Sequence, residues 1–371
     1  MDTSSPSVLI AGMGVAGLAI ARLLRKDGWQ TTVVERAASP RMGGQPVDVR
    51  GPALDVADQM GILGGLRAVR TRVRGMSVVD SNGVELERNT DWTLGTGALE
   101  SPDIEVLRDD IMLLLRGGDG YNSEEIFGDS VTGLEQDTNG VEVSFEKSSS
   151  RRFDLVIGAD GLHSKVRLAA FGDNRRYVRH MGQYLAVFTC PNFMGLDHWQ
   201  NWYRSEDSNY LAFPVRDNSA LRAGIWFNSD EISRDGFSAE DQKHLTANRM
   251  AGIGGHVPRL MQEMLQADDF YFSPIAQVHM DNYSNGRVVL LGDACYCASP
   301  FSGQGTSLAL IGAHILASEL RAKERDFGEA FRSYESRMRP FVKINQEIVG
   351  LDRADPGYLE AFNKAKSAIV I

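Results

Sequence analysis

Two glycine-bearing segments at opposite ends of the chain have the residue types to hold one large ligand. The first is Gly12-Met13-Gly14-Val15-Ala16-Gly17, directly after the apolar run Val8-Leu9-Ile10-Ala11. Gly12 permits a tight turn, Gly14 lets the backbone approach a pyrophosphate, and Gly17 allows close helix–strand packing. Phosphates then meet the free N–H groups and positive dipole end of the helix that starts around Val15 and Ala16. Glu35 closes the next strand, with Arg36 beside it, and a carboxylate there accepts the hydroxyls of an adenosine ribose.

The second segment is Gly292-Asp293-Ala294, after the strand-like Arg287-Val288-Val289-Leu290-Leu291 and ahead of Pro300-Phe301-Ser302-Gly303-Gln304-Gly305. An aspartate ending a strand suits the hydroxyls of a ribityl chain. A helix starting with Gly303-Gln304-Gly305 offers bare N–H groups to the N1–C2=O edge of a flavin, where the reduced ring carries negative charge. NAD needs neither feature, so the expected cofactor is FAD.

A third segment, Asp160-Gly161-Leu162-His163-Ser164-Lys165-Val166-Arg167, follows the strand-like 153–157. With this triad of motifs the chain resembles the single-component FAD-dependent aromatic hydroxylases of the p-hydroxybenzoate hydroxylase type. The stretch Arg41-Met42-Gly43-Gly44-Gln45-Pro46-Val47-Asp48 resembles the flavin-facing segment of the tetracycline-inactivating monooxygenases. The resemblance implies that Arg108 contacts the ribityl-pyrophosphate region of FAD and that Asp48 contacts the flavin. It also implies that Arg41 meets NADPH, that Asp293 binds FAD, and that Asp160 serves both FAD and NADPH. Pro300 and the Gly303–Gly305 turn would border a moving flavin. The implied reaction uses NADPH or NADH and O2 to hydroxylate an aromatic or polycyclic small molecule through a flavin C4a-hydroperoxide. No dedicated catalytic acid or base is implied, and none is assigned. The chain departs from the family pattern at Tyr296, where His is frequent, and at Ser307, where Asn is frequent.

These motifs need a scaffold. Residues 7–36 read as strand, turn, helix and strand, with Asp27-Gly28 as the stop. A hairpin is expected over 75–90 around Ser81-Asn82-Gly83, and another around Asn139-Gly140. The spacing predicts an amphipathic helix over 104–115, short helices at 239–249 and 257–266, and long helices over 303–322 and 327–349. A last short helix should follow Pro356. The expected class is α/β: a Rossmann-like FAD-binding domain with an inserted antiparallel β-sheet substrate domain and C-terminal helices. The FAD-binding part would comprise 1–72, 101–174 and 273–340, the substrate part 73–100 and 175–272, and the C-terminal segment 341–371.

Aromatic residues crowd 175–272, where strands are expected at 183–189, 209–215 and 222–228. Tyr203, Tyr210, Phe213 and Trp226 are candidate walls of a substrate pocket, joined by Tyr184 and Phe227. Gln183, Arg204 and Arg216 are candidate polar contacts.

The chain has 371 residues and a formal net charge of −10. That balance disfavours nucleic acid as a partner, since phosphates call for a basic face. Cys190, Cys295 and Cys297 are too few and too irregular for a disulfide framework or a metal site and read as packing residues. No signal peptide or membrane span is apparent, so a cytoplasmic monomer or homodimer is expected. Two other functions share these features. A flavin-dependent halogenase, epoxidase or reductase keeps the fold, but Trp199 and Trp202 lack halogenase spacing. A non-catalytic flavin-binding protein would not need the complete motif set.

Overall fold

The computed structural model describes residues 5–40, 43, 45–94, 97–118, 120–233, 236–324, 326–351 and 357–371. Arg41 and Pro356, both invoked from sequence, lie outside the described residues.

Continuous apolar runs make the first sheet. Its strands lie in the order Ser284–Asn285, Val288–Leu290, Leu155–Gly158, Ser7–Ala11, Gln30–Glu35 and Glu124–Phe127. The last five run parallel. Val8, Leu9, Ile10, Val156 and Ile157 are fully buried, as a parallel sheet covered on both faces requires. The helix Val15–Lys26 packs against Gly305–Ala322, which packs in turn against Phe327–Glu347. The chain leaves strand Ser7–Ala11 toward one neighbour and returns on its other side. This reversal of strand order opens a crevice at the carboxyl ends of the strands.

The second sheet orders Tyr271–Val278, Val178–Pro191, Ala220–Asn228, Ser208–Val215, Gln200–Tyr203, Met76–Val79 and Glu85–Asn89. One face carries Tyr184, Phe188, Tyr203, Tyr210, Ala223, Ile225 and Phe227 and forms a core with Val257, Leu260 and Met264 of helix Val257–Gln266. The other face carries Leu211, Phe213, Val215, Trp202 and Trp226, clustered with Leu94 and Leu107.

Three expectations change. Residues 104–107 form a strand, Ile104–Leu107, paired antiparallel with Pro46–Val49, and the helix begins only at Arg108 (Arg108–Arg116). Ile-Glu-Val-Leu runs into Arg-Asp-Asp without a breaker, so the strand merges with the helix in a period count. The helix expected from 303 begins at Gly305 instead, because Pro300–Ser302 is a 3-10 turn and Gly303 is left-handed at φ 60°. The expected domain boundaries at 272/273 and 340/341 fall inside the strand Tyr271–Val278 and the helix Phe327–Glu347.

Candidate active site

Four parallel strands deliver four functional segments to one edge: the 12–17 turn, Glu35, the 159–160 turn and Gly292-Asp293. At the first turn the three glycines have different reasons to exist. A Cβ at Gly17 would lie 1.9 Å from the Gly12 carbonyl oxygen, and one at Gly12 would lie 2.4 Å from the Ala159 carbonyl oxygen. Both are excluded by packing. Gly14 has an ordinary φ of −83° and nothing within 4 Å of where a Cβ would stand. Neither backbone nor neighbours demand glycine there, so the space fits a close-lying ligand.

The start of helix Gly305–Ala322 shows the same fit. A Cβ at Gly305 would meet nothing within 4 Å. Gln304 is fully buried, yet both of its side-chain amide atoms lack a hydrogen-bond partner. A buried unpaired amide is costly, so the position is held by the fold around it and not by its own hydrogen bonds. Pro300, just before, is exposed.

The Glu35 carboxylate accepts hydrogen bonds from the backbone N–H of Met13 (3.1 Å) and of Ala37 (2.9 Å). Arg36 is exposed beside it. Asp293 heads the short helix Asp293–Tyr296 and opens onto the crevice. The surrounding protein nevertheless pushes its carboxyl above the ordinary range, with Cys297 and the Arg108 charge drawing it back. Arg108 is half-buried, and its backbone N–H donates to the Gln45 carbonyl at 3.3 Å.

Asp48 forms a 2.9 Å ion pair with Arg50. Burial raises its carboxyl, and Arg50 opposes the rise. The Arg50 Nε also donates to the Gly303 carbonyl at 3.2 Å, which fixes the turn before Gly305. Ser307 accepts the Arg50 backbone N–H at 3.0 Å, so the departure there anchors the same loop. Tyr296 points into the core, its hydroxyl 3.0 Å from that of Tyr334, and the absence of a side chain at Gly312 makes room for it.

Asp160 turns inward. Its carboxylate accepts from the backbone N–H of Lys165 (2.7 Å) and Val166 (3.2 Å) and from the Ser164 hydroxyl. It caps the helix Lys165–Phe171 and borders the Gly12 turn. Burial raises its carboxyl against the pull of those donors.

The candidate pocket residues divide by strand parity. Phe213 and Trp226 lie on the sheet face that meets Leu107. Tyr203 and Tyr210 lie on the opposite face, under the helices, and the Tyr210 hydroxyl donates to the Asn201 side-chain Oδ1 at 2.7 Å. Tyr184 and Phe227 share that core. Side chains alternate across a strand, so these four are turned away from Phe213 and Trp226. Gln183 donates to the Asn228 side chain at 2.7 Å, near the end of the sheet remote from Arg222. Arg204 is exposed, with its guanidinium 5.7 Å from the Trp202 ring centre.

Several residues of the arrangement were not singled out from sequence. Trp202 and Gln200 alternate onto the Phe213 face, and the Trp202 Nε1 and Gln200 Oε1 are buried without partners. Arg50 carries no motif signal. Arg167 had one, as the last residue of the third motif. It is fully buried and donates to the carbonyls of Ala294 (2.7 Å) and Leu162 (2.6 Å) and to the Asn174 side chain (2.7 Å). Among the described residues, no helix is long and apolar enough to cross a membrane.

Residues 5–347 match the family model described as an FAD binding domain. The chain is 45% identical over 343 residues to an uncharacterized protein of Mycobacterium tuberculosis, with 92% of each chain covered. It is 36% identical to a flavin-dependent monooxygenase of Legionella longbeachae, covering 92% of this chain and 87% of the relative. Among solved structures it is similar to the tetracycline destructase Tet(51), with TM-score 0.88, 32% identity and 99% of each chain covered. The fold also matches that of CtdE solved with FAD, at TM-score 0.76 and 15% identity, over 98% of this chain and 99% of that one.

Proposed function

The chain belongs to the FAD-binding-domain family of flavin-dependent monooxygenases, and from that premise we propose which of its residues hold the cofactor and the substrate. FAD is the cofactor, and the reaction is NAD(P)H- and O2-dependent hydroxylation of an aromatic or polycyclic small molecule. Bound FAD supplies the electron transfer and oxygen activation that no side chain here provides.

The residues present fit that group. The helix start at Gly14, Val15 and Ala16 takes the pyrophosphate, and Glu35 takes the adenosine ribose. Asp293 and Arg108 take the central chain, while Gln304 and the Gly305 N–H take the ring edge. Arg50 holds Asp48 and Gly303 in register with one another. Substrate lies on the sheet face of Leu211, Phe213, Trp202 and Trp226, whose apolar surface excludes water. Trp202 Nε1 donates to an oxygen on the substrate, and Gln200 Oε1 accepts from one of its hydroxyls. We assign Tyr203 and Tyr210 no substrate contact. The two sheets, with their flanking helices, are the proposed domains.

The observation that carries this assignment is the pair of open glycine positions, Gly14 and Gly305, at two helix starts on one crevice. The similarity to a tetracycline destructase puts tetracycline first among compounds to test. The purified protein should carry visible flavin absorbance and oxidise NADPH faster with tetracycline or an aromatic polyketide. The product should be heavier by one oxygen atom. Protein that takes up no FAD on reconstitution refutes the assignment.

A further inference from the structure

Gly43 occupies a gap between three charged side chains drawn from both halves of the molecule, Asp109, Asp269 and Arg222. Its backbone N–H donates to Asp109 Oδ2 at 3.3 Å. A Cβ on it would lie 2.6 Å from Asp269 Oδ2 and 3.1 Å from Arg222 Nη1, and its φ of 85° is left-handed. Asp109 is buried in the first turn of helix Arg108–Arg116, next to Arg108. The same Oδ2 accepts from Arg216 Nη2 at 3.1 Å. Arg222 is buried and donates to Asp269 at 3.0 Å, and Asp269 also accepts the Thr189 backbone N–H at 2.9 Å. Arg216, Arg222, Thr189 and Asp269 all belong to the second sheet or its loops. Gly43 and Asp109 belong to the segments that lead to Asp48 and Arg108 on the cofactor crevice.

The turn that presents Arg216 is built at a cost. Arg216, Asp217 and Asn218 have φ values of 52°, 55° and 65°, three successive non-glycine residues in the left-handed region. Surrounding structure must hold such a turn in place. Asn218 supplies that hold: its carbonyl accepts from the Asn192 side chain at 2.8 Å, and its Oδ1 accepts from the His198 backbone N–H at 3.1 Å. The turn is thus braced against its own sheet with Arg216 pointing across to Asp109.

We infer that Asp109 and Arg216 are positioning residues which tie Gly43 and the Arg108 helix start to the substrate sheet, so that filling the substrate face shifts the cofactor environment. The inference rests on the proposed assignment of that face and crevice. Phe213 and Arg222 are cross-strand partners, and Val215 precedes Arg216, so a ligand on Phe213 presses on the strand that carries the clamp. The movement reaches Gly43 through Asp109, one residue from Arg108. Neither Asp109 nor Arg216 reacts.

The test compares FAD-loaded wild type, Arg216→Met, Arg216→Lys and Asp109→Asn. Its readouts are the flavin absorption spectrum with and without tetracycline as probe, the FAD dissociation constant and the melting temperature. Arg216 is half-exposed on its side chain, so Arg216→Met is expected to fold. Wild type should show a tetracycline-induced shift of the flavin band. Arg216→Met should lose most of that shift and bind FAD about tenfold more weakly, and Arg216→Lys should recover part of both. Asp109→Asn should behave like Arg216→Met; if it does not fold, Arg216→Met decides alone. A spectral response in Arg216→Met equal to that of wild type overturns the coupling even if the melting temperature falls. Wild type that binds no FAD, or gives no response to tetracycline, refutes the underlying assignment and the coupling with it.

Discussion

The guanidinium of Arg167 donates to the backbone carbonyl of Ala294 at 2.7 Å, joining the third sequence motif to the second across the crevice floor. Two further short bonds, to Leu162 and Asn174, use the rest of its fork. None of its hydrogen-bonding partners is a carboxylate, and burial lowers its pKa from the ordinary arginine value. The fork geometry satisfies three oxygens at once, which an ammonium cannot reproduce. Arg167→Met should cost about 3 kcal/mol of stability, because it removes charge-assisted bonds and leaves buried carbonyls unpaired. Arg167→Lys should recover less than half. Urea denaturation of the FAD-free proteins measures both, and an unchanged midpoint for Arg167→Met would sink this account.

The glycines of the first motif should separate packing from ligand binding. Gly17→Ala places a methyl 1.9 Å from a backbone oxygen and should destabilise the chain by about 3 kcal/mol or more. Gly14→Ala meets nothing and keeps its φ, so the FAD-free protein should be as stable as wild type or up to about 1 kcal/mol more stable. FAD affinity should nevertheless fall, by about tenfold or more, as the methyl enters space meant for the ligand. Differential scanning calorimetry without FAD and flavin titration check the two halves independently.

These residues also show what can be read without a structure. The 12–17 turn and Gly292-Asp293 are legible because glycine and acid placements answer to local geometry. Gln304 is legible as a position but not as an orphaned amide, since burial arises from the whole fold. The aromatic crowding in 175–272 marks a sheet without saying which way it faces. Both faces are buried, so no polar alternation separates Trp202 from Tyr203. Only the register Trp202↔Leu211 and Tyr203↔Tyr210, with the helices laid over one face, assigns them. Arg50 and Asp109 act through neighbours remote in sequence, where no spacing rule applies.

Trp202 and Gln200 give a test of that parity. Each has a buried polar atom without a partner, so Trp202→Phe should leave the FAD-free protein about 1 kcal/mol more stable. The same change should raise KM for an oxygenated substrate several-fold while sparing FAD binding. Tyr210→Phe should do the reverse. It removes the bond to Asn201 and should cost about 1 kcal/mol of stability without moving KM. A rise in KM from Tyr210→Phe, with none from Trp202→Phe, would reverse the assignment of the two faces.

Asp293 should reveal itself through pH. Although Asp293 opens onto the crevice, desolvation by the protein around it raises its carboxyl above the ordinary range, and Cys297 and Arg108 only partly counteract this. An acid whose folded pKa is raised binds its proton more tightly in the folded chain. It therefore penalises folding at every pH above the folded value, and the penalty is gone once pH falls below the unfolded value near 4, by about the ordinary carboxylate pKa. Asp293→Asn should accordingly make the FAD-free protein more stable than wild type at neutral pH, with the gap closing as pH falls toward about 4. FAD retention should be lost at the same time, because the amide no longer offers the accepting carboxylate. Melting temperatures of both FAD-free proteins across this range, with flavin absorbance after purification, check the two effects. A gap that widens on acidification would show that the Asp293 carboxylate stabilises the empty crevice instead of opposing it.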